Sequence, residues 1–303
     1  CSSDLAHEDD GSYASIHITQ EPPALPVGIA PILRSHRLGI GLYDLIDGQL
    51  NLRTRLEVDV EGESTPVPAL AGSAPADLLL LNDGDLTFAK VRMDDQSWQT
   101  ATRHLGSLQD SLARAVVWAA AWDMTRDGEV STGDLLELAM NSLPMESDIG
   151  VLQGVLRQVR MAIDQFASES NRRNYLQALA QWSLAQAREE DPGSDRQLAF
   201  TRAFVGAAVS DEHLAEIAGV LDGTITLPGL AVDTDLRWTL LLRLVSQGAR
   251  GAESIDDEVA RDDTAAGRRH AATARASIPG PTAKATAWDS IMNDSAQIGR
   301  AHV

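Results

Sequence analysis

The chain has 303 residues, and 25 Lys and Arg against 44 Asp and Glu give it a net charge of −19. This acidity, without any run of Lys or Arg longer than a pair, excludes nucleic acids and anionic membranes as partners, because both need clustered cations. No apolar stretch approaches the roughly 18 residues that span a bilayer. A hydrophobic share of 44% can form a sizeable core in one large or two medium domains.

The single cysteine of the chain is its first residue, Cys1. Cys1 excludes an intramolecular disulfide and a cysteine-based metal site. Residues 1–5 and residues 298–303 can be encoded by two DNA sequences that are inverted copies of each other. Both DNA sequences resemble a sequencing adapter. We therefore interpret both segments as adapter-derived scars and expect the natural protein to continue on both sides. Cys1 and His302 would then carry no chemistry, and a cysteine-free native span is compatible with a cytoplasmic protein.

Residues 6–94 are predicted to form a small antiparallel β-sandwich. The clearest strand is Leu50 to Val60, where apolar and polar residues alternate, so one face is predicted to be buried and the other solvated. Shorter apolar runs between Gly-containing turns predict further strands. These runs are residues 15–20, 38–43, 78–81 and 88–93. The stretch with Pro22, Pro23, Pro26 and Pro31 is predicted to be an extended connection.

From residue 95 to residue 297 the apolar period is that of helices. Asp148 is predicted to cap a helix whose apolar stripe runs from Ile149 to Phe166. Comparable stripes occur at residues 112–122, 135–143, 175–187, 198–209, 214–221, 236–245 and 265–276. Helix ends are predicted at Gly106, Gly128, Gly223 and Gly248. Helices in series with short loops indicate a HEAT/armadillo-like α-solenoid, so the predicted fold class is α+β multidomain.

The segment Asp123–Asp134 nearly matches the calcium-binding loop of an EF-hand. The candidate oxygen ligands and the turn glycine are Asp123, Thr125, Asp127, Gly128 and Ser131. Thr125 is unusual at the third position, and Asp134 is one methylene shorter than the usual bidentate Glu. The alternative, which we favour, is a helix that ends at Gly128 and a new helix that Ser131 or Thr132 caps.

Other short motifs carry less information. None of the seven histidines is followed by a second one four residues later, as a helical zinc motif requires. His213 and Glu216 form an isolated helical pair that we interpret as plain surface. No Gly-Lys-Ser/Thr phosphate loop and no Gly-x-Ser-x-Gly elbow is present. The pair Gly39 and Gly41 lacks the third glycine of a dinucleotide fingerprint and indicates strand packing instead.

Two further features have ordinary structural interpretations. Trp118 and Trp122 lie one helical turn apart and are predicted to be core residues. The acidic run Glu253–Asp263 is predicted to be a solvated helix face, with a metal or a cationic partner as the alternative. The residues alone therefore indicate a β-module and a helical array without an internal catalytic constellation.

A family resemblance adds to this interpretation. The segment Leu80–Asp94, LLNDGDLTFAKVRMD, resembles the segment that joins the β-sandwich to the helical C-terminal domain of aminopeptidase N-type zinc metallopeptidases, above all the actinobacterial branch. Further motifs of that family follow in order at residues 119–129, 221–223, 229–230, 233–238, 263–267 and 281–288. The resemblance covers residues 12–293. In that family the stretch at Asp123–Gly128 is a helix junction without a calcium role.

The resemblance implies that the chain is the C-terminal part of such an enzyme and lacks the catalytic domain. The family's His-Glu-x-x-His helix, Gly-x-Met-Glu-Asn loop and oxyanion-stabilising Tyr have no counterpart here, so no catalytic, cofactor-binding or metal-binding residue is predicted, and the fragment is expected to be inactive. The parent is expected to use zinc to remove N-terminal residues from peptides. The implied partners are peptide substrates and the missing catalytic domain, with the helical domain capping the active site and controlling access. The alternative is a free-standing helical-repeat scaffold that binds a protein partner.

Overall fold

The computed structural model describes residues 1–22 and 32–293. Within them the chain forms six β-strands followed by eleven α-helices. Residues Pro23, Pro26 and Pro31 of the predicted extended connection lie outside the described residues, as does the predicted scar at residues 298–303.

The β-strands form two antiparallel sheets of three strands each. In chain order they are β1 (Ser2–His7), β2 (Tyr13–Thr19), β3 (His36–Ile46), β4 (Gln49–Val60), β5 (Ser64–Pro66) and β6 (Leu78–Leu81). One sheet has the order β1-β2-β5 and the other the order β4-β3-β6. The predicted antiparallel β-region is therefore confirmed.

The central strand β3 and the short edge strand β6 are the most buried strands of the second sheet. Residues 38–43 of β3 and all four leucines of β6 are buried. Such continuous burial explains why β6 reads as an unbroken apolar run rather than as an alternating one. Helix α1 (Asp95–His104) packs on β6, and the Leu79 amide donates a hydrogen bond to Ser97 Oγ at 2.9 Å.

One expectation for the β-region holds only in part, and another was wrong. Residues 50–60 do form a strand, β4, and its polar face is exposed, but its apolar face is buried only at Leu50 and Val60, partly buried at Leu56 and Val58, and 52% exposed at Leu52. Residues 88–93 form no strand. Their side chains Lys90 and Arg92 instead bond the carboxylate of Asp127, a tertiary contact that no local pattern reveals.

The helices after α1 are bounded as follows: α2 (Ser111–Arg126), α3 (Thr132–Ser142), α4 (Ile149–Gln165), α5 (Glu169–Glu189), α6 (Asp195–Ala207), α7 (Asp211–Asp222), α8 (Thr234–Ser246), α9 (Ala252–Arg261), α10 (Ala265–Ser277) and α11 (Pro281–Asn293). Most of the helices, α1 included, begin just after a Ser, Thr or Asp whose side chain accepts a first-turn amide hydrogen bond. These caps are Asp94, Asp110, Ser131, Asp148, Ser194, Ser210, Asp233 and Thr264.

The predicted helix signals are largely confirmed. Asp148 accepts the Val151 amide at the start of α4. Gly128, Gly223 and Gly248 adopt positive φ just after α2, α7 and α8, where a side chain would be strained. Gly106 lies beyond the end of α1 within a 3-10 turn and has no positive φ, so it does not end α1 in the predicted way.

The chain divides into two compact units, Cys1–Ser168 and Glu169–Val303. Secondary structure changes from strand to helix at Asp95, but helices α1 to α4 belong to the same compact unit as the sheets. In the second unit α5 packs on α6, α7 on α8, and α10 on α8, α9 and α11. The α+β class with a helical C-terminal part is confirmed, and the HEAT/armadillo-like arrangement and the domain limits stay predictions. Within the described ranges, no helix has the length and apolarity that crossing a membrane requires.

Candidate functional site

The junction between α2 and α3 is the former candidate for a calcium loop. Helix α2 ends at Arg126, Gly128 takes φ 80°, and α3 begins after Ser131. The Asp134 amide donates to Ser131 Oγ at 3.1 Å, and the Ser131 amide donates to Asp134 Oδ2 at 3.3 Å, which is a capping box. The predicted cap at Ser131 is confirmed.

Several oxygen atoms of the EF-hand pattern are already engaged in other contacts. Thr125 is buried, and its hydroxyl donates to the carbonyl of Ala121 at 2.8 Å. The Asp127 carboxylate accepts from Lys90 Nζ at 2.7 and 2.8 Å and from Arg92. The hydrogen bond from Lys90 is the main reason why the pKa of Asp127 lies below its usual value. Two cations beside this carboxylate oppose the binding of Ca²⁺.

The motif Leu80–Asp94 begins with a tight turn after β6. Asn82 and Asp85 adopt positive φ, and the Asp85 amide donates to the Asn82 carbonyl at 2.8 Å. The buried side chain of Asn82 donates to the Thr87 carbonyl and accepts the Thr87 amide. Asn tolerates this backbone conformation better than most residues and supplies both kinds of hydrogen bond.

The next residue of the turn, Asp83, fits against the two glycines of β3. A Cβ atom on Gly39 would lie 2.1 Å from the Asp83 carbonyl oxygen, and one on Gly41 would lie 2.2 Å from Asp83 Oδ2. Tyr43 donates its hydroxyl hydrogen to Asp83 Oδ2 at 2.9 Å. Burial raises the pKa of Asp83 above its usual value, although the Tyr43 hydrogen bond opposes the shift. The interpretation of Gly39 and Gly41 as strand packing is confirmed.

A buried ion pair lies between α2 and the residues before α4. The Arg114 guanidinium donates to both carboxylate oxygens of Glu146. It also donates to the carbonyls of Leu108 and Gln109, and Trp118 donates its indole hydrogen to Glu146. Sequence analysis missed this pair, although a lone Arg inside the apolar stripe of α2 is a usable signal.

The two tryptophans of α2 have different surroundings. Trp118 is buried, as predicted, whereas Trp122 is only partly buried. The Trp122 ring lies 6.2 Å from the ring of Phe166 and 5.9 Å from the Arg126 guanidinium. Phe166, predicted to belong to the apolar stripe of α4, is 44% exposed at the C-terminal end of that helix.

The second compact unit contains a cavity of about 370 Å³ beside the end of α7. Its apolar walls are Val220, Leu221, Ile225, Leu227, Leu230 and Val232. Several of these residues lie in or next to the family motifs at 221–223 and 229–230. The volume falls within the range of about 300–1,000 Å³ that is usual for small-ligand clefts.

Charged residues also line this cavity. Arg237 donates to both Glu258 oxygens at 2.7 Å and to the Leu221 carbonyl at 3.1 Å. Asp222 accepts from Arg250 Nη2 at 2.5 Å. Arg261 also lines the cavity. A cleft with this lining can hold an apolar side chain beside polar or charged groups.

The expectation that His213 is plain surface was wrong. His213 is buried, its Nε2 lies 3.2 Å from Gln181 Oε1, and its ring packs edge-on to Phe204 with 5.6 Å between centroids. Its predicted partner Glu216 instead pairs with Arg188 at 2.6 Å. His213 lies in the first turn of α7, and the packing of α7 places that side of the helix inward. The sequence of a single helical turn cannot show this packing.

The acidic run at Glu253–Asp263 is only partly a solvated face. Glu258 is buried in its pair with Arg237, and Asp262 accepts the indole hydrogen of Trp238 at 2.9 Å. Asp256 and Asp263 are exposed and pair with Arg275 and Arg268. Much of the run therefore neutralises neighbouring arginines of the same unit.

In the part of the chain that the structure describes, no three His, Cys, Asp or Glu side chains converge to hold a metal ion. The family model of the ERAP1-like C-terminal domain matches residues 78–301. The chain belongs to that family. The family match begins at the first residue of β6 and thus includes the turn at Asn82.

The chain is also similar to a curated protein from Streptomyces lividans. The chain is 49% identical over 292 residues to the protein named Aminopeptidase N of Streptomyces lividans, a match that covers 95% of this chain and 34% of that protein. The chain thus spans about a third of the length of this relative. The predicted resemblance to the C-terminal part of aminopeptidase N-type proteins is confirmed.

Proposed function

We propose that the chain is the C-terminal region of a zinc-dependent aminopeptidase that removes N-terminal residues from peptides. The observation that carries the proposal is the 49% identity to Aminopeptidase N over 95% of the chain. Identity at this level over nearly the whole chain is far more specific than any motif within it. The zinc ligands, the general base and the group that binds the substrate amine belong, on this proposal, to the preceding part of the parent protein.

The role proposed for this region is to cap the active site and to control which peptides enter. The support is the family match, together with a helical unit that contains a cleft lined by apolar side chains and by a few charged ones. The net charge of −19 supports the same role, because an acidic surface attracts the ammonium group at a peptide N-terminus. A cytoplasmic location for the parent is part of the proposal.

The DNA upstream of codon 6 provides the first test. An open reading frame that encodes a His-Glu-x-x-His string upstream supports the peptidase. A start codon near position 6 would instead support a free-standing scaffold. The second test is an assay of the purified 303-residue chain on an aminoacyl nitroanilide with added zinc. We expect no turnover, and turnover that a chelator abolishes would contradict the proposed division of labour.

A further inference from the structure

Two apolar side chains in the loop after the Asn82 turn are exposed. Phe88 is fully exposed, and Leu86 is 46% exposed. Single exposed apolar residues are common on protein surfaces, but a phenylalanine without any shielding loses the stabilisation that burial of its large apolar surface gives. Leu86 and Phe88, which flank Thr87, are called the 86/88 surface below.

The backbone beneath the 86/88 surface is held in place on both sides. Both backbone groups of Thr87 bond the side chain of the buried Asn82, at 2.9 and 3.2 Å. The Thr87 hydroxyl lies 2.7 Å from His36 Nδ1 at the start of β3. Ordering a loop costs conformational entropy, so a loop ordered to display two apolar side chains is typical of a contact surface.

The start of the chain lies beside the same loop. The Cys1 backbone nitrogen donates to the Lys90 carbonyl at 2.6 Å, and the Arg92 amide donates to the Cys1 carbonyl at 2.8 Å. Any chain that precedes residue 1 therefore enters this unit about two residues from Phe88. Because these are main-chain contacts, the point where the chain enters is the same if residues 1–5 are adapter-derived.

We propose that the 86/88 surface is a docking surface for the part of the parent chain that precedes residue 1. The proposal rests on the proposed function, which makes this chain the C-terminal region of a longer protein. Only 34% of the relative's length is matched, so a large part of such a protein lies outside residues 1–303. The occupant contributes an apolar pocket that receives the Phe88 ring and covers Leu86.

Hydroxyl-radical footprinting of the native phenylalanines tests the proposal without a mutation. The chain contains four of them: exposed Phe88, half-exposed Phe166, and buried Phe200 and Phe204. In the 303-residue chain we expect Phe88 to be oxidised fastest. In the full-length parent its rate should fall to that of Phe200, while the rate of Phe166 stays unchanged. An unchanged rate at Phe88, or an equal fall at Phe166, overturns the proposal.

A pair of variants provides a second test. Phe88→Ser should leave the melting temperature of the 303-residue chain unchanged, because the side chain is fully exposed in the part of the chain that the structure describes. The same substitution should lower the melting temperature of the full-length parent. Phe166→Ser is the matched control and should change both proteins equally. Equal effects of Phe88→Ser on the melting temperatures of the two proteins overturn the proposal. It is also overturned if Phe88 of the 303-residue chain becomes more protected as the protein concentration rises, because such protection indicates that a second copy of the chain covers it.

The two proposals fail in different ways. Protection of Phe88 in a full-length protein without peptidase activity refutes the proposed function and supports the docking surface. Chelator-sensitive activity with an unprotected Phe88 refutes the docking surface alone. A start codon near position 6 removes the proposed occupant and refutes both.

Discussion

Arg114 and Glu146 form an ion pair in which both side chains are nearly inaccessible, at 6% and 2% exposure. Arg114 Nη2 lies 2.8 Å from Glu146 Oε1, and Nε lies 3.1 Å from Oε2. Glu146 also accepts a hydrogen bond from the backbone amide of Asp148 at 3.1 Å. Asp148 is the residue that caps α4. The pair therefore links α2 to the start of α4 within the first compact unit.

Removing the charge of Glu146 should strongly destabilise the chain. Glu146→Gln leaves the Arg114 guanidinium buried without a counter-charge, and we expect the free energy of unfolding to fall by about 3–5 kcal/mol. Urea unfolding at neutral pH measures this loss. Glu57→Gln is the control, because Glu57 pairs with Arg37 on the surface and such pairs contribute about 0–1 kcal/mol. Similar losses in both variants would contradict the account of the buried pair.

The same carboxylate predicts a loss of stability in acid. Burial alone would raise the pKa of Glu146, but the hydrogen bonds and charge of Arg114 outweigh it, and the pKa lies below its usual value. An acid with a lowered folded-state pKa stabilises the fold above its unfolded pKa of about 4.3 and loses that contribution as the pH falls further. The unfolding free energy of the wild type should therefore decrease below about pH 4. A Glu146→Gln variant with the same decrease would contradict this assignment.

The contribution of Asp83 to stability should have the opposite pH dependence. Burial raises the pKa of Asp83 above its usual value, so its contribution is present below the unfolded pKa and is lost as the pH rises through the folded-state pKa. Asp83→Asn cannot ionise and can still accept the Tyr43 hydrogen bond through its amide oxygen. Relative to the wild type, the variant should gain stability as the pH rises above about 3.9, the ordinary pKa of an Asp side chain. A relative loss above that pH in urea unfolding would refute this sign.

The stability of the protein should be sensitive to a single methyl group added at Gly39. A Cβ there would lie 2.1 Å from the backbone oxygen of Asp83, which cannot move without moving the turn. Gly39→Ala should therefore cost about 1–3 kcal/mol in the free energy of unfolding. Gly154→Ala in α4 is the matched control, because its nearest neighbour lies 4.0 Å away and helix propensity favours Ala by about 0.5–1 kcal/mol. A loss in both variants would show that the chain is generally intolerant of added methyl groups.

Calcium should not change the stability of the chain. The hydroxyl of Thr125 bonds a backbone carbonyl, Asp127 pairs with two cations, and Ser131 and Asp134 cap each other. We expect the melting temperature to be the same with calcium, with magnesium at equal concentration and with a chelator. A rise that occurs with millimolar calcium alone would restore the EF-hand interpretation.

The sequence predicted features that depend on local patterns. Asp148, Ser131 and Gly223 are cap or stop residues whose effect involves their nearest neighbours in the chain. The leucines of β6 form a continuous run because both faces of that strand are covered. These features follow from short windows of residues.

Features that depend on distant partners were missed. Arg114 and Glu146 are 32 positions apart, and the sequence around one of them does not indicate that the other is its partner. The burial of His213 depends on α5 and α6, from which Gln181 and Phe204 contact it. The segment 88–93 alternates like a strand, yet Lys90 and Arg92 bond Asp127 of the α2–α3 junction. Tertiary contacts override local preference at such positions.

Hydrolysis of an aminoacyl nitroanilide by the full-length protein from the uninterrupted gene tests the central claim most directly. The account predicts turnover that a chelator abolishes and added zinc restores, whereas the 303-residue chain alone has none under the same conditions. Absence of turnover by the full-length protein, or turnover that a chelator does not affect, would contradict the claim that this chain is the C-terminal region of a zinc-dependent aminopeptidase.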